Sequence, residues 1–187
     1  MDFLYEQLSN YDISILRYIH HNRIESLDNF LYVISFTTSY VSISILLTIL
    51  FFSYKKESPY LRSAFFKIAT VLIVASLISF TLKRVISRER PFNTYPDIEK
   101  LSEAGNASFP SGHTIEAFAV AFAIAFLFPR LNYIIFVFTW ACLVAYSRMA
   151  LGVHYPFDVL GGIIIGIGSS LVTLLIYNRI EWKKKIA

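Results

Sequence analysis

Residues 29–54 read NFLYVISFTTSYVSISILLTILFFSY and contain no formally charged side chain. A helix needs about 20 apolar residues to cross the hydrocarbon core of a bilayer, so this segment is long enough to span it. The whole chain has the same character, because 56% of its residues are hydrophobic and only 16% are charged. Soluble domains carry about 25% charged residues. We therefore predict that lipid covers much of the surface of this chain.

Four segments further along the chain also have the composition of spanning helices, with predicted bounds 64–82, 114–128, 131–147 and 157–177. In residues 1–28, apolar side chains recur at roughly helical spacing among polar ones, which is typical of an amphipathic helix in the membrane interface. The sequence thus predicts an all-α integral membrane bundle. Its core, residues 29–187, contains about five transmembrane helices, and residues 1–28 form an interfacial amphipathic segment.

Polar residues gather in three blocks, each at the end of a predicted span. The blocks are Lys83-x6-Arg90-Pro91, Pro110-Ser111-Gly112-His113 and Ser147-Arg148-x5-His154-x3-Asp158. Two spans separate the connection 83–113 from the connection 147–157, so both connections fall on one side of the membrane. We therefore expect the three blocks to meet at a single membrane face.

The basic residues of these blocks suit a phosphate group. A phosphate ester carries nearly two negative charges, and its transfer spreads charge over the equatorial oxygens. Arg90 and Arg148 can each make bidentate contacts with phosphate oxygens, and Lys83 can supply a point charge. The Ser111-Gly112 pair begins a predicted helix, where free backbone N–H groups favour an anion. The pattern therefore indicates phosphoryl transfer.

Two histidines can supply the remaining chemistry. Asp158 follows His154 by four residues, so its carboxylate can hold one ring nitrogen while the other nitrogen attacks phosphorus. His113 can then protonate the leaving oxygen, and later activate a water molecule against the resulting phosphohistidine. We predict His154 as the nucleophile, Asp158 as its partner and His113 as the acid and base.

The three blocks, in this order and at these spacings, resemble the type 2 phosphatidic acid phosphatase (PAP2) family, which shares its site with vanadium haloperoxidases and bacterial acid phosphatases. The resemblance implies a metal-independent hydrolase with a helical core and no cofactor. It gives His154, Asp158 and His113 the same roles as above. The positions that match the family's phosphate-binding residues are Lys83, Arg90, Ser111, Gly112 and Arg148.

Small membrane-bound bacterial members of the family act on lipid phosphates or diphosphates, often at the outer leaflet. The resemblance therefore implies a lipid phosphate phosphatase whose substrate is undecaprenyl diphosphate, phosphatidylglycerol phosphate, phosphatidic acid or a lipid A phosphate. We expect the lipid substrate and the surrounding membrane lipids as partners, and no nucleic acid. No particular oligomeric state is predicted.

The distribution of lysine and arginine predicts which way the site faces. Nine of these residues lie on the side opposite the site and eight on the site side, of which three belong to the phosphate-binding set. Without those three, nine stand against five, and cytoplasmic loops carry the excess of basic residues. We therefore expect a multi-pass protein of a bacterial cytoplasmic membrane with its site on the outer face.

Two other functions are compatible with parts of the pattern. A phosphotransferase would use the same residues and pass the phosphate to a lipid acceptor instead of water. A small transporter would place its ionisable groups within the spans, near the midplane of the bilayer, whereas here they stand at helix ends. A soluble haloperoxidase is disfavoured, because the helices of this chain are predicted to face lipid.

Several residues near the blocks have plainer interpretations. Arg84 and Arg88 are interpreted as interfacial anchors of the second span, and His20 and His21 as solvated surface residues. Glu116 has two interpretations: a carboxylate stabilised by a helix N-terminus, or a group that tunes His113 or substrate choice. The glycines predicted to allow close helix packing are Gly161, Gly162, Gly166 and Gly168.

Overall fold

The computed structural model describes residues 2–186, with side chains described from Glu6 to Lys183. Its helices are α1 (Asp2–His21), α2 (Asp28–Phe36), α3 (Thr38–Lys55), α4 (Pro59–Ile86), α5 (Pro91–Thr94), α6 (Gly112–Leu127), α7 (Leu131–Ala150) and α8 (Pro156–Ile186). Four of them, α3, α4, α7 and α8, are long and apolar enough to cross a membrane. The fifth apolar helix, α6, has 16 residues. The predicted all-α membrane bundle is confirmed.

The predicted first span is interrupted at Thr37, which separates α2 from α3. The Thr37 hydroxyl donates to the carbonyl of Val33 at 2.6 Å, and the Thr38 hydroxyl donates to the carbonyl of Ser35 at 2.8 Å. Hydroxyls bonded to the preceding turn compete with the helical ladder and bend helices. The predicted span over residues 29–54 is therefore divided between two helices, and of these two α3 is the one that is long enough to cross the membrane.

Helix α6 lies at the centre of the bundle and packs against α3, α4, α7 and α8. Small side chains permit this, because a Cβ atom at Gly166 of α8 would lie 2.6 Å from the carbonyl oxygen of Ile115 in α6. Gly162 makes a similar approach to Thr114. The close-packing prediction is confirmed for these two glycines. It is wrong for Gly168, because in the part of the chain that the structure describes no atom of another element lies within 4 Å of a Cβ position there.

The two ends of the bundle differ: an ion pair joins α4 to α8 at one end, and the connections that carry the three blocks lie at the other. At one end, Lys67 near the start of α4 pairs with Glu181 near the end of α8, with 2.9 Å between Nζ and Oε2. At the other end, α4 leads into the connection 87–111, and α7 leads into the turn that carries His154. The predicted meeting of the three blocks at one end of the bundle is therefore what the structure shows.

Helix α1 packs at the same end as the three blocks. The His20 ring is only 1% exposed, because Nδ1 lies 2.9 Å from the Ala150 carbonyl and Nε2 accepts the Glu99 N–H at 3.1 Å. The interpretation of His20 as a surface residue is therefore wrong, since α1 covers the end of α7 and the 97–101 loop. The placement of residues 1–28 in the membrane interface stays a prediction.

Candidate active site

Seven of the eight predicted site residues meet around one cavity of about 700 Å³. Six of them line it directly: Lys83, Arg90, Gly112, His113, Arg148 and His154. Asp158 lies behind His154, with 3.5 Å between its Oδ2 and the Nδ1 atom of the histidine. Ser111 is the exception, as described below. The roles of these residues stay predictions, but their convergence is a geometric fact.

The imidazole of His154 lies in the cavity wall, with its Nε2 atom next to Arg90. The NH1 group of Arg90 lies 3.2 Å from Nε2, and a guanidinium can only donate hydrogen bonds, so Nε2 is the acceptor. The ring proton therefore resides on Nδ1, toward Asp158. Burial is the main cause that lowers the pKa of His154 to about 3, and the charges of Arg148 and Arg90 add to it. The ring is therefore neutral near pH 7, and its Nε2 lone pair is directed at Arg90 in the cavity wall.

The carboxylate of Asp158 is held from several directions. Its Oδ2 atom accepts the backbone N–H of Tyr155 at 2.9 Å and a close hydrogen bond from the Ser108 hydroxyl. Its Oδ1 atom accepts from Arg88 at 2.8 Å. Such contacts keep a carboxylate ionised and fix its direction. Ser108 was not among the predicted site residues, because a lone serine in a loop carries no recognisable spacing.

The three cations that are predicted to bind phosphate point toward one loop. Arg90 donates to the carbonyls of Gly105 at 2.5 Å and Ala107 at 2.9 Å, and Lys83 donates to Ala107 at 3.0 Å. Arg148 donates to the carbonyl of Glu103 at 3.2 Å. The loop carbonyls thus gather three cations that would otherwise repel one another. The same donors line the cavity and can turn to phosphate oxygens.

The predicted backbone cradle at Ser111 and Gly112 is only partly formed. The N–H of Ser111 donates to the Asp158 carbonyl at 3.1 Å, and its hydroxyl pairs with Thr114 at 2.8 Å. Ser111 is fully buried and does not line the cavity, so the structure does not support direct phosphate binding by this residue. The N–H groups of the first turn of α6, beginning at Gly112, have no partner within the helix and remain available.

Glu116 lies on α6 in the wall of the same cavity as His113. Its Oε2 atom accepts a hydrogen bond from the Ser39 hydroxyl of α3 at 2.7 Å. A carboxylate in this position faces whatever enters the cavity. The location therefore favours the second interpretation of Glu116, a role in tuning His113 or in substrate choice.

Arg88 is a site residue that the sequence analysis missed. It binds the buried carboxylates of Asp158 and Asp12, and its guanidinium lies over the Tyr155 ring. The interpretation of Arg88 as an interfacial anchor is therefore wrong, because its charge is paired within the protein. One signal pointed to this: Asp12 precedes the apolar Leu16 by four residues, so a carboxylate stands on the apolar face of α1.

The acidic, histidine and cysteine side chains do not form a metal ligand set in the part of the chain that the structure describes. No three of them come close enough there to hold a metal ion. The independence from metal that the resemblance implies stays a prediction.

The turn before His154 depends on Gly152. Its φ is +72°, and a Cβ atom there would lie 2.1 Å from the carbonyl oxygen of Glu99. We expect Gly152→Ala to destabilise the protein by at least about 2 kcal/mol, because strain and a backbone clash combine. Thermal unfolding in detergent measures this. Gly168→Ala is the matched control, since its Cβ would meet open space, and an equal melting temperature for both variants contradicts the prediction.

Most of the chain matches one known family. Residues 64–182 match the family model of the PAP2 superfamily. The chain belongs to this family. All eight predicted site residues fall within the matched segment of the PAP2 chain, whereas α1, with Asp12, lies outside it.

Several curated proteins are similar to this PAP2 chain. Lipid A 1-phosphatase of Rhizobium etli is 38% identical over 125 residues, which cover 63% of this chain and 52% of that protein. Putative undecaprenyl-diphosphatase YbjG of Escherichia coli is 35% identical over 123 residues, which cover 65% and 61%. Undecaprenyl-diphosphatase BcrC of Bacillus subtilis is 30% identical over 163 residues, which cover 84% and 79%. The matched segment thus spans between half and two thirds of the first two relatives.

Two solved structures share the fold. The crystal structure of Aquifex aeolicus LpxE has a TM-score of 0.78 and 25% sequence identity, covering 88% of this chain and 94% of that one. A transmembrane PAP2 type phosphatidylglycerolphosphate phosphatase from Bacillus subtilis has a TM-score of 0.77 and 24% identity, covering 93% and 88%. Together with the four apolar helices, this likeness makes the PAP2 chain an integral membrane protein.

Proposed function

We propose that the protein is a membrane lipid phosphatase that hydrolyses a phosphomonoester or pyrophosphate of a lipid through a phosphohistidine on His154. The observation that carries this proposal is the state of His154. Its Nε2 atom accepts a hydrogen bond from Arg90 at the wall of a cavity lined by Lys83, Arg90 and Arg148, so Nε2 carries a lone pair that is released for attack when Arg90 turns to the phosphate. A nucleophile and three cations at one cavity wall suit an in-line attack on phosphorus.

The first half-reaction transfers the phosphoryl group to the enzyme. The Nε2 lone pair attacks phosphorus, a P–N bond forms, and the bond from phosphorus to the lipid oxygen breaks. The three cations stabilise the charge on the equatorial oxygens, and Asp158 stabilises the positive ring through Nδ1–H. His113, on the same cavity, takes up a proton when the anionic phosphate ester binds among the three cations, and it gives this proton to the leaving oxygen.

The second half-reaction returns the enzyme to its starting state. His113, now neutral, takes a proton from a water molecule, and the water oxygen attacks phosphorus. The P–N bond breaks, its electron pair returns to Nε2, and inorganic phosphate leaves. A lipid hydroxyl in place of water would give the phosphotransferase considered above, so both products are to be measured.

The lipid nature of the substrate is supported by the membrane setting and by the names of the relatives. Those relatives are called lipid A phosphatase or undecaprenyl-diphosphatase. We also propose that the site faces outward, because basic residues predominate at the opposite end once the three phosphate-binding cations are set aside. Intact cells given a phosphate ester that cannot cross the membrane should then release phosphate, and release only after lysis contradicts this orientation.

A panel of lipids tests the proposed function. The purified protein in detergent is given undecaprenyl diphosphate, phosphatidylglycerol phosphate, phosphatidic acid and lipid A, and free phosphate and phosphorylated acceptors are both measured. We expect phosphate release from at least one lipid, inhibition by vanadate and no effect of EDTA. Phosphate release from none of them, or release abolished by EDTA and restored by a metal, contradicts the proposal.

A further inference from the structure

A second ionic cluster adjoins Asp158 through the oxygen that does not face His154. It consists of Asp12 from α1 and Arg88 from the connection after α4. The NH2 group of Arg88 lies 2.6 Å from Oδ2 of Asp12, and its NH1 group lies 2.8 Å from Oδ1 of Asp158. Both carboxylate side chains are 0% exposed. One guanidinium therefore bridges two carboxylates that have no access to solvent.

Asp12 also binds the first turn of α8, the helix that carries Asp158. Its Oδ1 atom accepts the backbone N–H of Phe157 at 2.8 Å. Phe157 is the second residue of α8, where N–H groups lack partners within the helix and a carboxylate is favourable. Asp12 therefore caps α8 from another helix, and does so one residue before Asp158.

The guanidinium of Arg88 is fixed on a third side by an aromatic ring. Its central carbon lies 3.8 Å from the centroid of Tyr155, which is a stacking distance. The planar fork of an arginine can stack in this way and still donate to two carboxylates in fixed directions. A lysine in the same place would keep the charge but lose the stacking and the second contact.

These contacts determine how the carboxylate of Asp158 is turned. Arg88 holds Oδ1, while Tyr155 N–H and the Ser108 hydroxyl hold Oδ2. A carboxylate held at both oxygens cannot rotate, so Oδ2 stays on the Nδ1 side of His154, at 3.5 Å, which is longer than a formed hydrogen bond. The carboxylate on the Nδ1 side and the N–H that Arg90 donates to Nε2 together favour the ring proton on Nδ1 and the lone pair on Nε2.

Stability alone is a weak explanation of such a cluster. The desolvation of buried charges largely offsets their attraction, so apolar residues of similar size would serve as well. The cluster also joins a residue outside the family-matched segment to one inside it. Building on the proposed function, we propose that Asp12 and Arg88 are positioning residues, through which the N-terminal helix holds Asp158, and thereby the His154 ring, in the orientation for attack.

The kinetic test uses Arg88→Gln and Asp12→Asn with the best lipid substrate of the wild type. We expect kcat to fall about 10- to 100-fold with little change in KM, which is usual for loss of an outer-shell partner. Asp12→Asn keeps the shape and one oxygen for Phe157, so it remains informative if Arg88→Gln does not fold. Arg17→Gln is the matched control, because it removes another ion pair of α1, to Asp97 at 2.7 Å, that does not touch Asp158.

The effect of Arg88→Gln in the wild-type protein and in the Asp158→Asn protein distinguishes a positioning role of Arg88 from a general structural role. In the Asp158→Asn protein, Arg88→Gln should lower kcat little further, because both changes act through the same carboxylate. A structural role predicts the same fold loss in both backgrounds. That result, or wild-type kcat in both single variants, overturns the proposal.

A spectroscopic measurement keeps this inference separate from the proposed function. Nitrogen-15 shifts of the histidine rings in detergent show whether the His154 proton resides on Nδ1 or Nε2. We expect the Nδ1–H form in the wild type and in Arg17→Gln, and a mixture of forms in Arg88→Gln and Asp12→Asn. An unchanged His154 signal in both variants overturns the positioning role. Absence of phosphate release by the wild type refutes the proposed function and leaves this measurement intact.

Discussion

Replacement of His154 by alanine is expected to lower phosphate release by at least about 10⁴-fold, because loss of a covalent nucleophile leaves only binding and charge stabilisation. His154 is 2% exposed, and its Nε2 atom faces Arg90 and the cavity. Substrate binding should be largely kept, since Lys83, Arg90 and Arg148 remain. Single-turnover release of phosphate from the best lipid of the panel measures the effect.

His21→Ala is the matched control for this experiment. His21 is an exposed histidine whose Nε2 atom lies 3.1 Å from the backbone carbonyl of Asp97 and whose ring lies beside that of His20, far from the predicted catalytic residues in the chain. We expect wild-type activity from this variant. If His154→Ala retains more than about one hundredth of the wild-type rate, a nucleophilic role is excluded, since even proton transfer contributes about 10²-fold or more.

Replacement of His113 by glutamine is expected to lower steady-state release by about 10²- to 10⁴-fold, the usual contribution of a general acid and base. The two half-reactions should respond differently. An ester with a good leaving group, such as p-nitrophenyl phosphate, needs little protonation, so phosphoryl transfer to His154 proceeds. Hydrolysis of the phosphohistidine still needs the base, and the phosphoenzyme therefore accumulates.

Radioactive phosphate retained on the protein measures this accumulation. The label should be labile to acid and stable to base, as a P–N bond is, and mass spectrometry should locate it at residue 154. The double variant that also carries His154→Ala should retain none. Steady turnover of His113→Gln at the wild-type rate would show that His113 is not the base, and label at another residue would show that His154 is not the nucleophile.

The sequence predicted which residues line the cavity better than it predicted the contacts that hold those residues in place. The spacing of residues within the three blocks, and the position of each block at the end of a predicted span, correctly indicated that seven of the eight residues lie at one cavity. Ser111 differs because its N–H is taken by the carbonyl of Asp158, a contact between the starts of α6 and α8 that follows from helix packing. A contact between two helix starts that are far apart in the sequence cannot be predicted from the spacing of residues along the chain.

Arg88 and His20 illustrate the same difficulty. The residues next to them in the sequence indicate a surface position for both. In the structure Arg88 pairs with Asp12 of α1, and His20 of α1 is buried against the carbonyl of Ala150. Amphipathic spacing predicted that α1 exists, but not which protein surface its apolar face would cover. The break at Thr37 was missed for a related reason, because hydropathy measures the length of an apolar segment and not its straightness.

Helix α6, with the predicted phosphate cradle at its first turn, has only 16 residues. At 1.5 Å per residue it is about 24 Å long, some 6 Å less than the hydrocarbon thickness of a typical bilayer. Either the bilayer thins around the protein or the cradle sits below the level of the lipid headgroups. In both cases a lipid phosphate can reach the catalytic depth while its acyl or prenyl chains remain in the leaflet. In bilayers of lipids with short or long acyl chains, the bond to be cleaved should therefore lie at different depths relative to His154.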